Sequence, residues 1–258
     1  MRVELIALRS RPIGRGEDLV EAFVSAAREA GVPLLDGDIV AISAKVVSTS
    51  MGAVRRLSDV SPSSAAASLS AETSLDPRFV ELILRESDAV LGACRGSLLT
   101  LKGSQLVPNA GADLKNSLEG FASLWPRDPD LVAWRIMMGI RGATGRRVGV
   151  LIVDSGLRPL RRGTSGVAVG SAGFNPVRSY VGLRDLYGRV ITMTSHNLED
   201  DLASAAHLLM GEGAEGTPFV VIRGAPVEIT DGLPAGRSIT PSRCFLVGPL
   251  IFRGDPGG

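Results

Sequence analysis

The chain is short of cysteine, lysine, histidine and aromatic residues, and each shortage closes a route. Its two cysteines, Cys94 and Cys244, are far apart and match no metal-ligand spacing, which argues against a zinc site or disulfide scaffold and predicts buried thiols. The 28 basic residues, of which only Lys45, Lys102 and Lys115 are lysines, face 27 acidic ones, so no basic field marks a nucleic-acid partner. No apolar run reaches the roughly 18 residues of a membrane span, and MRVELIALRS has no signal-peptide core; a cytoplasmic protein without a membrane partner is expected. There is no G-x-x-x-x-G-K-[ST] loop, no G-x-G-x-x-G between a strand and a helix, and no G-x-S-x-G elbow. His196 and His207 read as polar surface or cap residues rather than catalytic bases.

The chain does contain enough apolar residues, 45% of 258, to build a proper core. Alternating or short apolar runs predict strands at Val3–Leu8, Ile39–Ser43, Leu98–Leu101, Val148–Val153, Val190–Thr194 and Phe219–Ile222. Helical spacing predicts helices in EDLVEAFVSAAREAG, with Gly31 at its end, at Pro77–Ser87, at Asp130–Ile140, and at Glu199–Met210 behind an Asn197 cap. The elements alternate loosely and the gaps are glycine-rich, which fits no regular βαβ array or repeat. Ser61–Ser74 reads as a surface loop, a linker or a helix start, and the GDPGG tail should fray.

Three stretches could carry chemistry. In VPNAGADLKNS, Asp113 and Asn116 stand at the mouth of an Asn/Gly turn, where they either shape the backbone or hold a ligand. In RRVGVLIVDSGLRPLRRG an apolar strand runs into Asp154 and Ser155, a carboxylate and hydroxyl suited to a divalent cation shared with phosphate. Arg158, Arg161 and Arg162 follow as anion contacts, although a strand end with a solvated basic loop explains the pattern as well. In LLMGEGAEGTPFVVIRG, Met210, Gly211, Glu212 and Gly213 form a turn whose backbone suits phosphate, while a plain helix cap accounts for everything but Glu212.

Taken in order, NAGADLKN, VGVLIVDSGLRPLRRG, GVAVGSAGF, GLRDLYGR and LASAAHLLMGEGAEGTPFVVIRG resemble the coenzyme F-420-0 γ-glutamyl ligase family, over close to nine-tenths of the chain. The resemblance implies an α+β, mixed-sheet, two-lobed fold in a single domain over residues 1–253, followed by a frayed 254–258 tail, and an intertwined homodimer. It implies a GTP-dependent ligase that adds L-glutamate to the carboxylate of a deazaflavin coenzyme through an acyl phosphate. Two Mg²⁺ or Mn²⁺ ions would assist, and a monovalent cation is left open. Asp113 and Asp154 match catalytic metal-binding aspartates, Ser155 and Glu212 further metal ligands, and Asn116 a nucleotide contact. Arg11, Pro12, Ile13 and Gly14 match a nucleotide-binding loop, and Met210, Gly211, Glu212 and Gly213 a turn that meets GTP.

The chain departs from the family where S-K-A-E-G-R is expected. Here it reads STSMGA, with Thr49, Met51 and Ala53 in place of Lys, Glu and Arg. Lys45 is the candidate substitute in the nucleotide site, but an extended chain would put it ~13 Å from Thr49 at ~3.3 Å per residue. Ser155 stands where Thr is usual, Leu157 replaces a Gly, and the chain after Gly224 follows no charged C-terminal helix. Two other readings therefore stand beside the ligase: a divergent member using another amino acid or acceptor, and a non-catalytic paralogue that binds coenzyme or nucleotide.

Overall fold

The structure is a computed structural model that describes residues 2–115, 119–235 and 238–251. They divide into two compact units, one from Met1–Leu57 and Ala112–Ala235, the other from Ser58–Gly111 and Gly236–Gly258. In chain order the first unit opens with β1 (Glu4–Leu8), α1 (Leu19–Glu29), β2 (Ile39–Ser43), α2 (Ala44–Ser50) and β3 (Val54–Arg56). The second unit then supplies α3 (Ser64–Thr73), α4 (Pro77–Glu86), β4 (Ala89–Cys94), β5 (Ser97–Lys102) and β6 (Gln105–Pro108). The first resumes with β7 (Phe121–Ser123), α5 (Pro129–Thr144), β8 (Gly149–Leu157), β9 (Thr164–Ala172), β10 (Val177–Ser179), β11 (Ser195–Asn197), α6 (Leu198–Met210) and β12 (Phe219–Arg223). A short α7 (Gly248–Ile251) belongs to the second.

The first unit is organised by a mixed five-stranded sheet in the order β1-β12-β2-β8-β9, parallel only between β2 and β8. IVAIS and GVLIV are continuous apolar runs because both faces of these central strands are covered. One face, with Ile39, Ala41, Leu151, Val153, Val220 and Ile222, packs against Leu202, Ala203, Ala206 and Met210 of α6. On α1, Phe23 stands edge-on to Phe219, ring centroids 5.6 Å apart. Helix ends follow local chemistry: Asp18 accepts from the N–H groups of Val20 and Glu21 at α1, and Asn197 from Asp200 at α6. Strand β9 approaches α6 closely at Gly166, where a Cβ would lie 2.2 Å from the Ala203 carbonyl oxygen.

Several expectations are corrected here. Val190–Thr194 is not a strand but part of an exposed excursion between β10 and β11, touched by one isolated bridge from Val190 to Arg184. Its alternation was real, yet it has no core face to bury. Ser61–Ser74 is no linker: Ser63 caps α3 by accepting from the Ala66 N–H. Strand β9 went unrecognised because its Gly, Ala and Ser residues carry little strand signal, although it pairs along the length of β8. The thiols are not buried: Cys94, ending the edge strand β4, is exposed and Cys244 is half-buried. The GDPGG tail lies outside the described residues.

In the second unit, β4, β5 and β6 form an antiparallel sheet and α3 packs with α4. Glu81 on α4, with its side chain only 11% exposed, accepts from the Ser63 N–H at 2.9 Å and Arg85 at 2.8 Å. Hydrogen bonding from Ser63, and then Arg85, holds its carboxyl at about 2, below the ordinary 4.5. A depressed carboxylate stabilises the fold above its unfolded value and loses that contribution as pH falls through the folded one. Acid unfolding of the wild type should therefore steepen between about pH 4.5 and 2. Glu81→Gln should lose ~1–2 kcal/mol at neutral pH and show a flatter acid limb in chemical denaturation across pH.

Candidate active site

Residues of β2 and β8, α2 and the turn after α6 surround a cavity of about 850 Å³ within the first unit. The hairpin of β8 and β9 supplies Asp154 and Ser155. Strand β8 continues to Leu157, so this pair sits within the strand and not at its end, as the sequence had suggested. A register shift between Ile152 and Val153 lies just before it, where a bulge re-aims side chains. Asp154 accepts from Trp125 Nε1 and, at 2.9 Å, from the Ser155 N–H. Burial raises its carboxyl. Trp125, Ser155 and the charge of Lys45 pull it down, and the charge of Asp113 pushes it up again.

Asp113 is fixed by a backbone bridge to Ser123, with N–H···O distances of 3.0 and 2.9 Å. Its Oδ2 accepts from Lys45 Nζ at 2.6 Å and its Oδ1 from the Lys115 N–H at 3.0 Å. Lys45 also donates to the Lys115 carbonyl at 2.7 Å and to Ser123 Oγ at 2.8 Å, so one ammonium gathers three oxygens. Ser123 ends β7 and meets Lys45, and Trp125, two residues on, meets Asp154. The estimate of ~13 Å between Lys45 and Thr49 is overturned. STS lies in the helix α2, where a four-residue step is a rise of ~6 Å and the two side chains share one face. Both line the cavity, and Thr49 Oγ1 donates to the Lys45 carbonyl at 2.9 Å.

At the opposite wall, Met210, Gly211, Glu212 and Gly213 leave α6 in a turn that needs glycine. Gly211 has φ 74° and ψ −174°, and a Cβ there would fall 2.2 Å from the Glu215 carboxyl. Glu215 folds back to accept from the Gly213 N–H at 2.9 Å. Glu212 Oε1 accepts from the Thr164 hydroxyl and lies 3.2 Å from His207 Nε2. The loop before α1 contributes Arg11, Pro12, Ile13 and Gly14. Arg11 pairs with Glu17 at 2.7 Å, and Gly14 N–H donates to the same carboxylate at 2.9 Å. Arg11 first, then Gly14, holds the Glu17 carboxyl below its usual range.

Asp113, Asp154, Ser155, Lys45, Arg11 to Gly14 and Met210 to Gly213 thus line one cavity. Asn116 lies outside the described residues. The arginine-rich turn is not part of the lining: Arg158 donates to Ser165 Oγ at 3.0 Å and to the Gly166 carbonyl at 3.3 Å, while Arg161 and Arg162 are exposed. Sequence reasoning missed Trp125, Ser123, Lys115 and Glu215. It also assigned His207 to the helix surface, whereas that residue lines the cavity one helical turn before Met210 and Gly211. Its i, i+3 and i, i+4 relation to those residues was the available signal.

The donors on the walls are hard oxygens, suited to Mg²⁺ or Mn²⁺. Among the described residues no group of three or more His, Cys, Asp or Glu is gathered to hold a metal ion. A Mg²⁺-like ion needs no such cage, because it takes one or two carboxylates and completes its shell with phosphate and water. Asp113 and Asp154 fit that role: the charge of Asp113 raises the Asp154 carboxyl, and a cation held by both would relieve that repulsion.

Residues 7–224 match the protein family described as F420-0:Gamma-glutamyl ligase. The chain is 40% identical over 228 residues to a coenzyme F420:L-glutamate ligase from Methanothermobacter thermautotrophicus, covering 88% of this chain and 90% of that one. To the protein of the same name from Methanopyrus kandleri it is 38% identical over 248 residues, 94% and 96% of the two chains. The Archaeoglobus fulgidus counterpart is also 38% identical, over 228 residues and 88% and 90% of the chains. No helix among the described residues is long and apolar enough to cross a membrane.

Proposed function

The chain belongs to the F420-0:Gamma-glutamyl ligase family, and from that premise we propose that it joins L-glutamate to the carboxylate of coenzyme F420-0 at the expense of GTP. The observation that carries the reading is the pair of carboxylates, Asp113 and Asp154, on the walls of one cavity of about 850 Å³ with Lys45 between them in charge.

An amide does not form directly from a carboxylate and an amine, because oxide is too poor a leaving group. Transfer of the γ-phosphoryl group from GTP to a carboxylate oxygen gives an acyl phosphate and GDP. The neutral amine of glutamate then attacks the carbonyl carbon, the C–O bond breaks, inorganic phosphate leaves, and the nitrogen loses a proton to solvent. Bound Mg²⁺ or Mn²⁺, held by Asp113 and Asp154 with Ser155 and Glu212 as further oxygen donors, would neutralise charge on the transferred phosphoryl group. Lys45 brings an ammonium to the same place. The turn Met210 to Gly213 and the loop Arg11 to Gly14 face the cavity as backbone-rich walls for the nucleotide. Asn116 is proposed as a further nucleotide contact.

Incubation of the protein with coenzyme F420-0, L-glutamate, GTP and Mn²⁺ tests this directly. Mass spectrometry should find the glutamylated coenzyme with stoichiometric phosphate release, both lost on omission of GTP or on chelation of the metal. Glutamylation that proceeds without nucleotide would overturn the mechanism. No product from folded protein would overturn the choice of acceptor. Sedimentation velocity on the same sample tests the homodimer that belongs to this proposal.

A further inference from the structure

The cavity holds four cationic side chains, Arg11, Arg15, Lys45 and Lys115, and they are not equivalent. Arg11 is matched by Glu17 and Lys45 by Asp113. Arg15 has no acidic partner among the described residues, yet its position is built. The loop is pinned on one side of it by Gly14 N–H to Glu17 at 2.9 Å, and on the other by Gly16 N–H to the Ser50 carbonyl at 2.8 Å. The side chain then passes over Gly52 just beyond α2. A Cβ at residue 52 would lie 2.9 Å from Arg15 Nε and 3.5 Å from its Cδ and Cζ, so the guanidinium stem rests on a residue that offers it bare backbone. Gly52 has φ 68°, which also favours glycine.

This sets three groups in a row along one wall: the Lys45 ammonium, the Thr49 hydroxyl one turn on, and the Arg15 guanidinium over Gly52. At a helical rise of ~1.5 Å per residue the row covers about 10 Å. A single carboxylate needs one such partner, whereas a chain of phosphates presents oxygens along its length and suits a planar, weakly hydrated guanidinium. We propose that Arg15 is a phosphate-binding residue of this cavity, gripping the polyphosphate of the nucleotide at the end of the row remote from Asp113. The inference rests on the reading of the cavity as a nucleotide site.

The test is calorimetric titration of the full chain and its Arg15→Gln, Arg15→Lys and Gly52→Ala variants, with GTP and separately with inorganic tripolyphosphate, at constant Mg²⁺. Arg15→Gln should weaken both ligands about tenfold or more without moving the melting temperature, since a hydrogen-bonded charge is lost from an exposed side chain. Arg15→Lys should recover part of the loss by keeping the charge without the fork. Gly52→Ala should shift both ligands in the same direction as Arg15→Gln by displacing the stem. GTP binding equal in wild type and Arg15→Gln overturns the inference and leaves the nucleotide reading intact. Tripolyphosphate bound through Arg15 with no affinity for GTP overturns the nucleotide reading and, with it, the assignment of Arg15 to a nucleotide's polyphosphate. Wild-type protein that binds neither ligand overturns both.

Discussion

Asp154→Asn should abolish ligation while the protein stays folded. The substitution keeps the shape. Its carbonyl oxygen can accept from one of the two donors, Trp125 at Oδ2 or the Ser155 N–H at Oδ1, and its NH2 faces the other; removing a charge that burial disfavours offsets that lost bond, so the protein should stay folded with only a small fall in thermal melting. The charge is what disappears. If the carboxylates hold the metal that offsets charge in phosphoryl transfer, several kcal/mol of transition-state stabilisation is lost, on the order of a thousandfold in turnover. Asp113→Asn should do the same. Steady-state phosphate release and product mass measure the first effect, and Mn²⁺ binding followed by electron paramagnetic resonance measures its cause. Turnover within tenfold of wild type in both variants would leave the carboxylates as mere turn formers.

Lys45→Met has the second largest effect, and it acts in two directions. With the ammonium gone, the phosphates lose the cation paired with Asp113, and GTP-dependent turnover should drop about a hundredfold, the worth of a desolvated charge-assisted contact. Without nucleotide the same variant should bind Mn²⁺ more tightly, by roughly tenfold. Lys45 Nζ sits 2.6 Å from Asp113 Oδ2, and a metal held by the same carboxylate would compete with that ammonium. Asp113 is 44% exposed on its side chain, so leaving it without its partner is tolerated by solvent and should not unfold the protein. Metal affinity that is unchanged or weaker in Lys45→Met would show that the pair is structural.

The difference between these two aspartates and the STSMGA segment shows how far a sequence can be read. Asp113 and Asp154 were legible because each follows an apolar run and stands beside turn residues, a local pattern. Lys45 and Thr49 were misjudged because VVST reads as an extension of the preceding strand. The sequence carries the apolar β-branched residues of a strand, but packing on β8 and the turn at Gly52 select a helix. The separation between the two side chains changed by half with that single choice of period. Arg158, Arg161 and Arg162 failed in the opposite sense, since a basic run looks like an anion site until β9 takes up Arg158.

The residues that were missed share one property. Ser123 and Trp125 carry no motif, and they matter only because the end of β7 reaches Lys45 and the residues just after it reach Asp154. His207 carries a weak helical signal and gains meaning from a glutamate beyond a glycine turn. Arg15 gains it from the bare backbone of Gly52, a residue far along the chain.

By itself the sequence determined the family, most helices and central strands, and the three local motifs, because hydrophobic period, caps and glycine turns are written within a few residues of one another. The tertiary structure alone decided that these motifs share a cavity, which cation faces which carboxylate, and that Arg15 has no acidic partner among the described residues. Those relations join residues as distant in the chain as Lys45 and Ser123, 78 positions apart, and only burial and strand order bring such groups within hydrogen-bond reach.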